Sequence, residues 1–152
     1  MIYIGIDPGK RGGYAIIDEH AAHVFPWDDI KFVDSMKIVT MMYEGDKPAK
    51  AIAAVEKVGA MPNQGVVSMF NFGTSYGFIL GVLTAFGIGY QLVPPSVWKR
   101  EFGLLHTDKQ SSVDVAKRLF PSVNLMPTDR CRKESDGMAE ALLIAEYARR
   151  KM

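Results

Sequence analysis

Short apolar runs alternate with turn-forming residues along the first part of the chain. Three runs rich in β-branched and aromatic residues lie at 2–6, 14–17 and 22–27, with turn-favouring residues between them. Such runs with tight connections predict three antiparallel strands that follow one another in a meander.

Beyond these runs, strand-like and helix-like patterns alternate. Apolar residues at roughly helical spacing predict a helix over 30–43, and the short apolar segments 50–55 and 88–93 predict buried strands. Glycine, proline and asparagine in 59–73 predict a loop, with a helix that begins between 64 and 75 and ends at 85 or 86. Further helices are predicted over 96–102, from 107 or 108 to 120, and over 135–150. This order predicts an α/β fold with a mixed five-stranded sheet flanked by helices.

The composition is that of a folded domain. The chain has 152 residues, of which 48% are hydrophobic, so we expect 1–152 to form a single domain with its own core. The best apolar candidate for a membrane span, 78–90, is interrupted by three glycines, and we expect no membrane segment and no signal peptide. The single cysteine, Cys131, suits a reducing cytoplasm.

The charge balance leaves nucleic-acid binding open. The formal net charge is +1, whereas nucleic-acid-binding domains are often strongly basic. Basic clusters nevertheless occur at 99–100, 117–118, 130–133 and 149–151, and a site built from several carboxylates would lower the total.

Four acidic residues occupy positions from which they could meet. Asp7 ends the first predicted strand, and Glu56 follows the strand predicted over 50–55. Asp136 and Glu140 lie four residues apart, on one face of the last helix. Each has an ordinary interpretation, as a turn residue, a solvated strand end or acids that compensate the helix dipole. Together they predict a site for hard cations such as Mg²⁺, which resolve the repulsion between clustered carboxylates and support phosphodiester hydrolysis.

Several segments match a known family in order along nearly the whole chain. They are GIDPG at 5–9 with GYA at 13–15, VE at 55–56, MFNFG at 69–73 with Gly77 and Gly81, VPPSVWK at 93–99, and SDGMAEAL at 135–142. In this combination the chain resembles RuvC-type Holliday junction resolvases, and 93–99 resembles their phage and prophage members.

The resemblance implies an RNase H-like nuclease domain, a homodimer and Mg²⁺-dependent strand cleavage in which Mn²⁺ may substitute. It also implies that Asp7, Glu56, Asp136 and Glu140 are the catalytic metal ligands, with Asp7 bridging two ions. The last pair departs from the two aspartates, three residues apart, that are common in bacterial resolvases. No histidine occurs in the last helix, where some members carry a catalytic one; Lys133 is a candidate for a position near the scissile phosphate, with a solvated lysine as the alternative.

Contacts with DNA are expected from basic and aromatic side chains. The basic candidates for the DNA backbone are Lys10, Arg11, Lys57, Lys99, Arg100, Lys109 and Lys133, with plain solubilising charge as the alternative for each. Among Met69, Phe70, Phe72 and Tyr76 we expect core packing for most, with Phe70 and Phe72 as candidates for stacking on an unpaired base. Glycines 73, 77 and 81 form a stripe that suits a close contact, such as a dimer interface.

The expected function is that of a crossover junction endodeoxyribonuclease, acting on branched DNA by two-metal-ion hydrolysis. One alternative is a broader nuclease for flaps and forks, and another is a non-catalytic nucleic-acid-binding module. Actin-like ATPases and sugar kinases begin with a similar strand and turn, but they need two such domains, for which this chain is too short.

Overall fold

The computed structural model describes residues 1–44, 46–60 and 62–152, and within them it contains seven strands and five helices. The strands are β1 (Ile2–Asp7), β2 (Gly13–Ile17), β3 (Ala22–Pro26), β4 (Tyr43–Glu44), β5 (Lys47–Pro48), β6 (Ala51–Glu56) and β7 (Gly89–Val93). The helices are α1 (Asp29–Met41), α2 (Val66–Ala85), α3 (Pro95–Glu101), α4 (Lys109–Leu119) and α5 (Asp136–Lys151).

The main sheet has the order β3-β2-β1-β6-β7, and β4 and β5 form a separate small hairpin. The meander β1-β2-β3 is antiparallel, whereas β6 pairs in parallel with both β1 and β7. The predicted mixed five-stranded sheet is therefore confirmed. Because β1 and β6 run side by side in the same direction, Asp7 and Glu56 reach the same edge of the sheet.

Helices cover both faces of the sheet, as the alternation of side chains along β1 requires. Ile4 and Ile6 are fully buried in a core cluster with residues of α1 and α2. On the other face, β1 offers Gly5, where an added Cβ would overlap the backbone of Ala141 and Ala145 in α5. This glycine lets α5 approach β1 to backbone contact.

The start of α5 is fixed in a similar way. Gly137, in its first turn, lies against the turn between β1 and β2, and an added Cβ there would overlap the carbonyl oxygen of Arg11. Ser135 caps the helix by accepting a hydrogen bond from the backbone N–H of Met138. The helix that carries two of the predicted metal ligands is thus held against the turn that follows Asp7.

Several element boundaries differ from those predicted. Helix α1 ends at Met41 and not at 43, because the chain enters the small hairpin at β4. Strand β4 has two residues, too few for an alternating pattern to be recognised in the sequence. Helix α2 begins at Val66, so the second half of the loop predicted over 59–73 is helical. Asn71 and Gly73 favoured a loop there, but both are accommodated on exposed helix positions. Met61, in the same segment, lies outside the described residues.

Helix α2 is long and apolar enough, by length and composition, to cross a membrane. The expectation that glycines interrupt the apolar segment is wrong for Gly81, which lies within the helix, whereas Gly87 and Gly89 follow its end. Its position in the fold suggests a different role. The helix connects the neighbouring parallel strands β6 and β7, and its Ile79 and Leu83 are buried in the core against the sheet.

Candidate active site

Three carboxylates meet at the edge of the sheet where β1 and β6 end. Asp7 and Glu56 are the last residues of these strands, and Glu140 lies in the second turn of α5. One carboxylate oxygen from each lies within 4.8 Å of the others. Because α5 contacts the backbone of β1 at Gly5, the helix brings Glu140 to the strand ends.

The electrostatics of this cluster favour a cation. Burial raises the pKa of Asp7 well above its ordinary value, and the neighbouring Glu56 and Glu140 raise it further. Burial also raises the pKa of Glu56, although a hydrogen bond from Trp98 opposes this effect. Like charges held together in a partly buried site repel one another, and a divalent cation between them would relieve the repulsion.

Side chains of α3 and α4 hold two of the acids. The indole Nε1 of Trp98 donates a 2.8 Å hydrogen bond to Oε2 of Glu56. The hydroxyl of Ser112 donates to Oε1 of Glu140 at 3.2 Å, and Lys99 Nζ lies 3.1 Å from the same oxygen. The sequence reasoning missed Trp98 and Ser112. Their only signal was a polar group on the apolar face of a predicted helix, which requires a partner when it is buried.

Asp136 occupies a different environment from the other three acids. Its Oδ2 forms a 2.8 Å ion pair with Lys109 Nζ, and its carboxylate does not belong to the close group. Burial raises the pKa of Asp136, but the hydrogen bond and charge of Lys109 outweigh it and hold the pKa below its ordinary value. Asp136 still raises the pKa of Asp7, so it lies near the cluster.

A cleft of about 700 Å³ opens beside Glu56. It is lined by residues of the β6–α2 connection, by the first turns of α2 and by Pro95, and it includes Lys57 and Phe72. Phe72 also lies beside the turn after β1, 3.5 Å from the position that a Cβ on Gly9 would take. One predicted basic residue and one predicted aromatic residue therefore border the acidic cluster.

A second cleft, of about 330 Å³, lies at the first turn of α5. Lys10, Arg11 and Lys133 line it together with Asp136. Lys109 and Lys133 also border a smaller depression at Asp136. Four of the predicted basic residues thus surround the start of α5.

The remaining predicted contacts lie elsewhere. Lys99 is partly buried among the acids, and Arg100 is exposed on α3 and lines neither cleft. Phe70, a candidate for base stacking, is 73% exposed on α2, whereas Tyr76 packs against the core. The difference arises because α2 turns Phe70 away from the sheet.

The donor set fits a hard divalent cation. All three close side chains offer carboxylate oxygens, which Mg²⁺ and Mn²⁺ accept, and no histidine or cysteine joins them among the described residues. The hydrogen bonds from Trp98 and Ser112 leave further carboxylate lone pairs free, since each carboxylate has about four acceptor sites.

Comparisons with known proteins establish the fold. No protein-family model and no curated protein sequence matches the chain. Among solved structures it is similar to Thermus thermophilus RuvC in complex with a Holliday junction substrate, with a TM-score of 0.62 and 16% identity, covering 99% of this chain and 97% of that one. A second structure of Thermus thermophilus RuvC gives a TM-score of 0.54 and 15% identity, covering 95% and 91% of the two chains. The predicted RNase H-like fold is therefore confirmed.

Proposed function

We propose that this protein is a metal-dependent endonuclease for branched DNA, with four-way Holliday junctions as its main substrate. The observation that carries the proposal is the convergence of Asp7, Glu56 and Glu140 within 4.8 Å, in a fold shared with RuvC. A structure of that neighbour contains a Holliday junction substrate. We propose Mg²⁺ as the cofactor, with Mn²⁺ as a substitute, and the whole chain as one nuclease domain. The free Cys131 is in keeping with a cytoplasmic location.

In the proposed reaction Asp7, Glu56 and Glu140 would hold the cofactor beside the scissile phosphate. A divalent cation held there supplies a water of lowered pKa for in-line attack and positive charge near the departing oxygen. Lys99 sits beside Glu140 and can extend its ammonium group toward a phosphate once the cofactor balances the charge of that glutamate. Asp7, at the centre of the cluster, is the residue whose loss should be most damaging.

We assign Asp136 to a second ion, on the side of the cluster that faces Lys109. This role requires Lys109 to release its ion pair with Asp136 when DNA and metal bind. Lys109 is 78% exposed, and surface ion pairs contribute only about 0–1 kcal/mol, so the release is easy. The freed Lys109 would then be available for a DNA phosphate.

The basic side chains around α5 provide a path for the DNA backbone. Lys10, Arg11, Lys109 and Lys133 surround the start of the helix, and Lys57 lies across the acidic cluster in the larger cleft. Such contacts hold a phosphate backbone without reading sequence. We assign Arg100 to an outer DNA contact.

Two aromatic residues of α2 are placed to meet unpaired bases. Phe72 lines the cleft beside Glu56, and Phe70 is exposed on a neighbouring part of the same helix. A base that is unpaired at a branch point could stack on either ring, an interaction worth about 1–3 kcal/mol. This arrangement favours branched DNA over a regular duplex.

The outer face of α2 supports a homodimer. No residue of this 20-residue helix is charged, and Val66 in its first turn is 84% exposed. Glycines 73, 77 and 81 continue the same stripe and have no atom near the position of a Cβ. A second copy of the helix could approach this stripe closely, and two active sites related by a two-fold axis suit a symmetric junction.

The decisive experiment is cleavage of a synthetic four-way junction in Mg²⁺, beside a linear duplex, a flap and a fork, with Asp7→Asn as the control. Selective junction cutting that Asp7→Asn abolishes is the expected result. If flaps and forks were cut as well as the junction, the metal site would still be supported, but the protein would be a nuclease for branched DNA in general and not a junction resolvase. A folded protein that binds junctions but cuts nothing in Mg²⁺ or Mn²⁺ would instead be a binding module.

A further inference from the structure

We propose that Trp98 is a positioning residue that holds the Glu56 carboxylate in place for a divalent cation. The inference rests on the proposed metal-dependent function and adds a residue to it. The observation that supports it is a 2.8 Å hydrogen bond from the indole N–H of Trp98 to Oε2 of Glu56. The two residues are 42 positions apart in the chain.

The indole is itself firmly held. Trp98 lies in the middle of α3, has no exposed surface, and belongs to the core cluster that contains Ala54, Leu104 and Leu142. A side chain fixed by packing on this scale cannot turn to follow the carboxylate. Glu56 is therefore restrained by Trp98, and its second carboxylate oxygen is left for a cation.

The same ring also supports the neighbouring acid. Lys99 Nζ lies 5.1 Å from the centroid of the Trp98 ring, within the range of a cation–π contact, and 3.1 Å from Glu140. The edge of the indole thus holds Glu56, and its face helps to hold the lysine that pairs with Glu140. One buried side chain connects two of the three close carboxylates.

Packing alone would not require this residue. A phenylalanine would fill much of the same space, but a tryptophan brings an N–H group that must find an acceptor when buried. In metal sites, groups that hydrogen-bond to the ligands fix the ligand geometry, and their loss typically weakens metal binding or activity by 10–100-fold. The alternative is that Glu56 merely satisfies a core tryptophan.

The chain supplies a matched control for this hydrogen bond. It contains two tryptophans, and the indole of Trp27 donates a 2.8 Å hydrogen bond to Asp29, at a site that packs with α1 on the opposite face of the sheet. Both residues therefore place an indole N–H on a carboxylate, but only Trp98 places it on a proposed metal ligand.

The first test uses the folded wild-type protein. Its two indole N–H signals in a ¹H–¹⁵N NMR spectrum are assigned with Trp27→Phe, and the protein is titrated with Mg²⁺. We expect the Trp98 signal to shift with the metal while the Trp27 signal stays, and Asp7→Asn to abolish the shift. A Trp98 signal that does not move while calorimetry detects metal binding would overturn the proposal.

The second test compares Trp98→Phe with Trp27→Phe. We expect Trp98→Phe to raise the dissociation constant for Mg²⁺ by about 10–100-fold and to shift the Mg²⁺ dependence of cleavage equally, with the rate at saturating Mg²⁺ nearly retained. Trp27→Phe should change the dissociation constant for Mg²⁺ and the Mg²⁺ dependence of cleavage by no more than about twofold. Unchanged metal affinity in a folded Trp98→Phe protein would refute the role of Trp98 but leave the nuclease proposal intact. A wild-type protein that neither binds Mg²⁺ nor cuts DNA would refute both.

Discussion

The ammonium group of Lys99 lies 3.1 Å from Oε1 of Glu140, inside the group of acids and away from the outer basic surface. From this position it neutralises part of the cluster and can reach a phosphate that approaches the acids. We expect Lys99→Met to slow cleavage at saturating Mg²⁺ by about 100-fold, in line with the loss of one charge-stabilising group. The measurement is single-turnover cleavage of a four-way junction.

Metal affinity separates this role from a structural one. Removing Lys99 leaves the acids more negative, so Mg²⁺ should bind Lys99→Met at least as tightly as the wild type. Arg118→Met, which alters an exposed residue of α4 outside the proposed DNA contacts, should cut within about threefold of the wild-type rate. Weaker Mg²⁺ binding in Lys99→Met would contradict this assignment.

The ion-free protein should be destabilised by its own active site. Burial and neighbouring acids raise the pKa of Asp7 in the folded state, so its contribution to stability is complete below the unfolded-state pKa and is lost as the pH rises through the folded-state pKa. We therefore expect Asp7→Asn in EDTA to be more stable than the wild type at pH 8, by about 1–3 kcal/mol.

The gain should shrink as the pH falls, because the raised pKa of Asp7 lets the folded wild type take up a proton before the unfolded chain does. Denaturant unfolding at pH 8 and pH 5 measures the difference directly. If Asp7→Asn were less stable than the wild type at pH 8 without metal, the ionised carboxylate of Asp7 would stabilise the folded protein, and the prediction would be wrong.

Asp136 and Glu140 should differ in their effects on metal binding, although they share one helix face. At 100 times its dissociation constant, Mg²⁺ should stabilise the wild type by about 2.7 kcal/mol. Glu140→Gln should lose most of this gain, because Glu140 belongs to the close group. Asp136→Asn should keep most of it, because Asp136 pairs with Lys109. Thermal unfolding with and without Mg²⁺ provides the comparison, and equal losses would place Asp136 among the primary ligands.

A charge in the glycine stripe of α2 should prevent dimerisation. Gly77 is exposed in the middle of the stripe, and an arginine there would block the approach of a second helix. We expect Gly77→Arg to be monomeric by light scattering and to fold normally. Asn71→Arg, at an exposed position of the same helix away from the stripe, should remain dimeric. Monomeric wild-type protein at micromolar concentration would rule out this interface.

The sequence predicted the sheet well because its strands carry local signals. β1, β2 and β3 are short apolar runs separated by tight turns, and their pairing needs no knowledge of distant residues. The start of α2 was harder, since Asn71 and Gly73 favour loops and nothing local shows that the helix accommodates them. The β4–β5 hairpin has two residues in each strand, too few for a period to be visible.

The positions of the acids could be predicted from the order of the elements, but the side chains that hydrogen-bond to them could not. Asp7 and Glu56 end adjacent strands, so their meeting follows from the order of elements alone. Trp98 and Ser112 contact acids that are 42 and 28 residues away, through the packing of α3 and α4. Lys99 was expected to contact DNA, and its ion pair with Glu140 was not predicted, because no pattern in α3 specifies which way this side chain turns.

The backbone contact between β1 and α5 at Gly5 limits which positions of the sequence can vary during evolution. The backbone spacing of Asp7 and Glu140 depends on two elements that touch directly, whereas α3 and α4 contact the side chains of the acids. Small residues at a few positions satisfy this constraint, which leaves most of the chain free to drift. The fold shared with Thermus thermophilus RuvC at 16% identity is in keeping with such freedom. New substrate preferences could arise by exchanging surface segments while the acids keep their places.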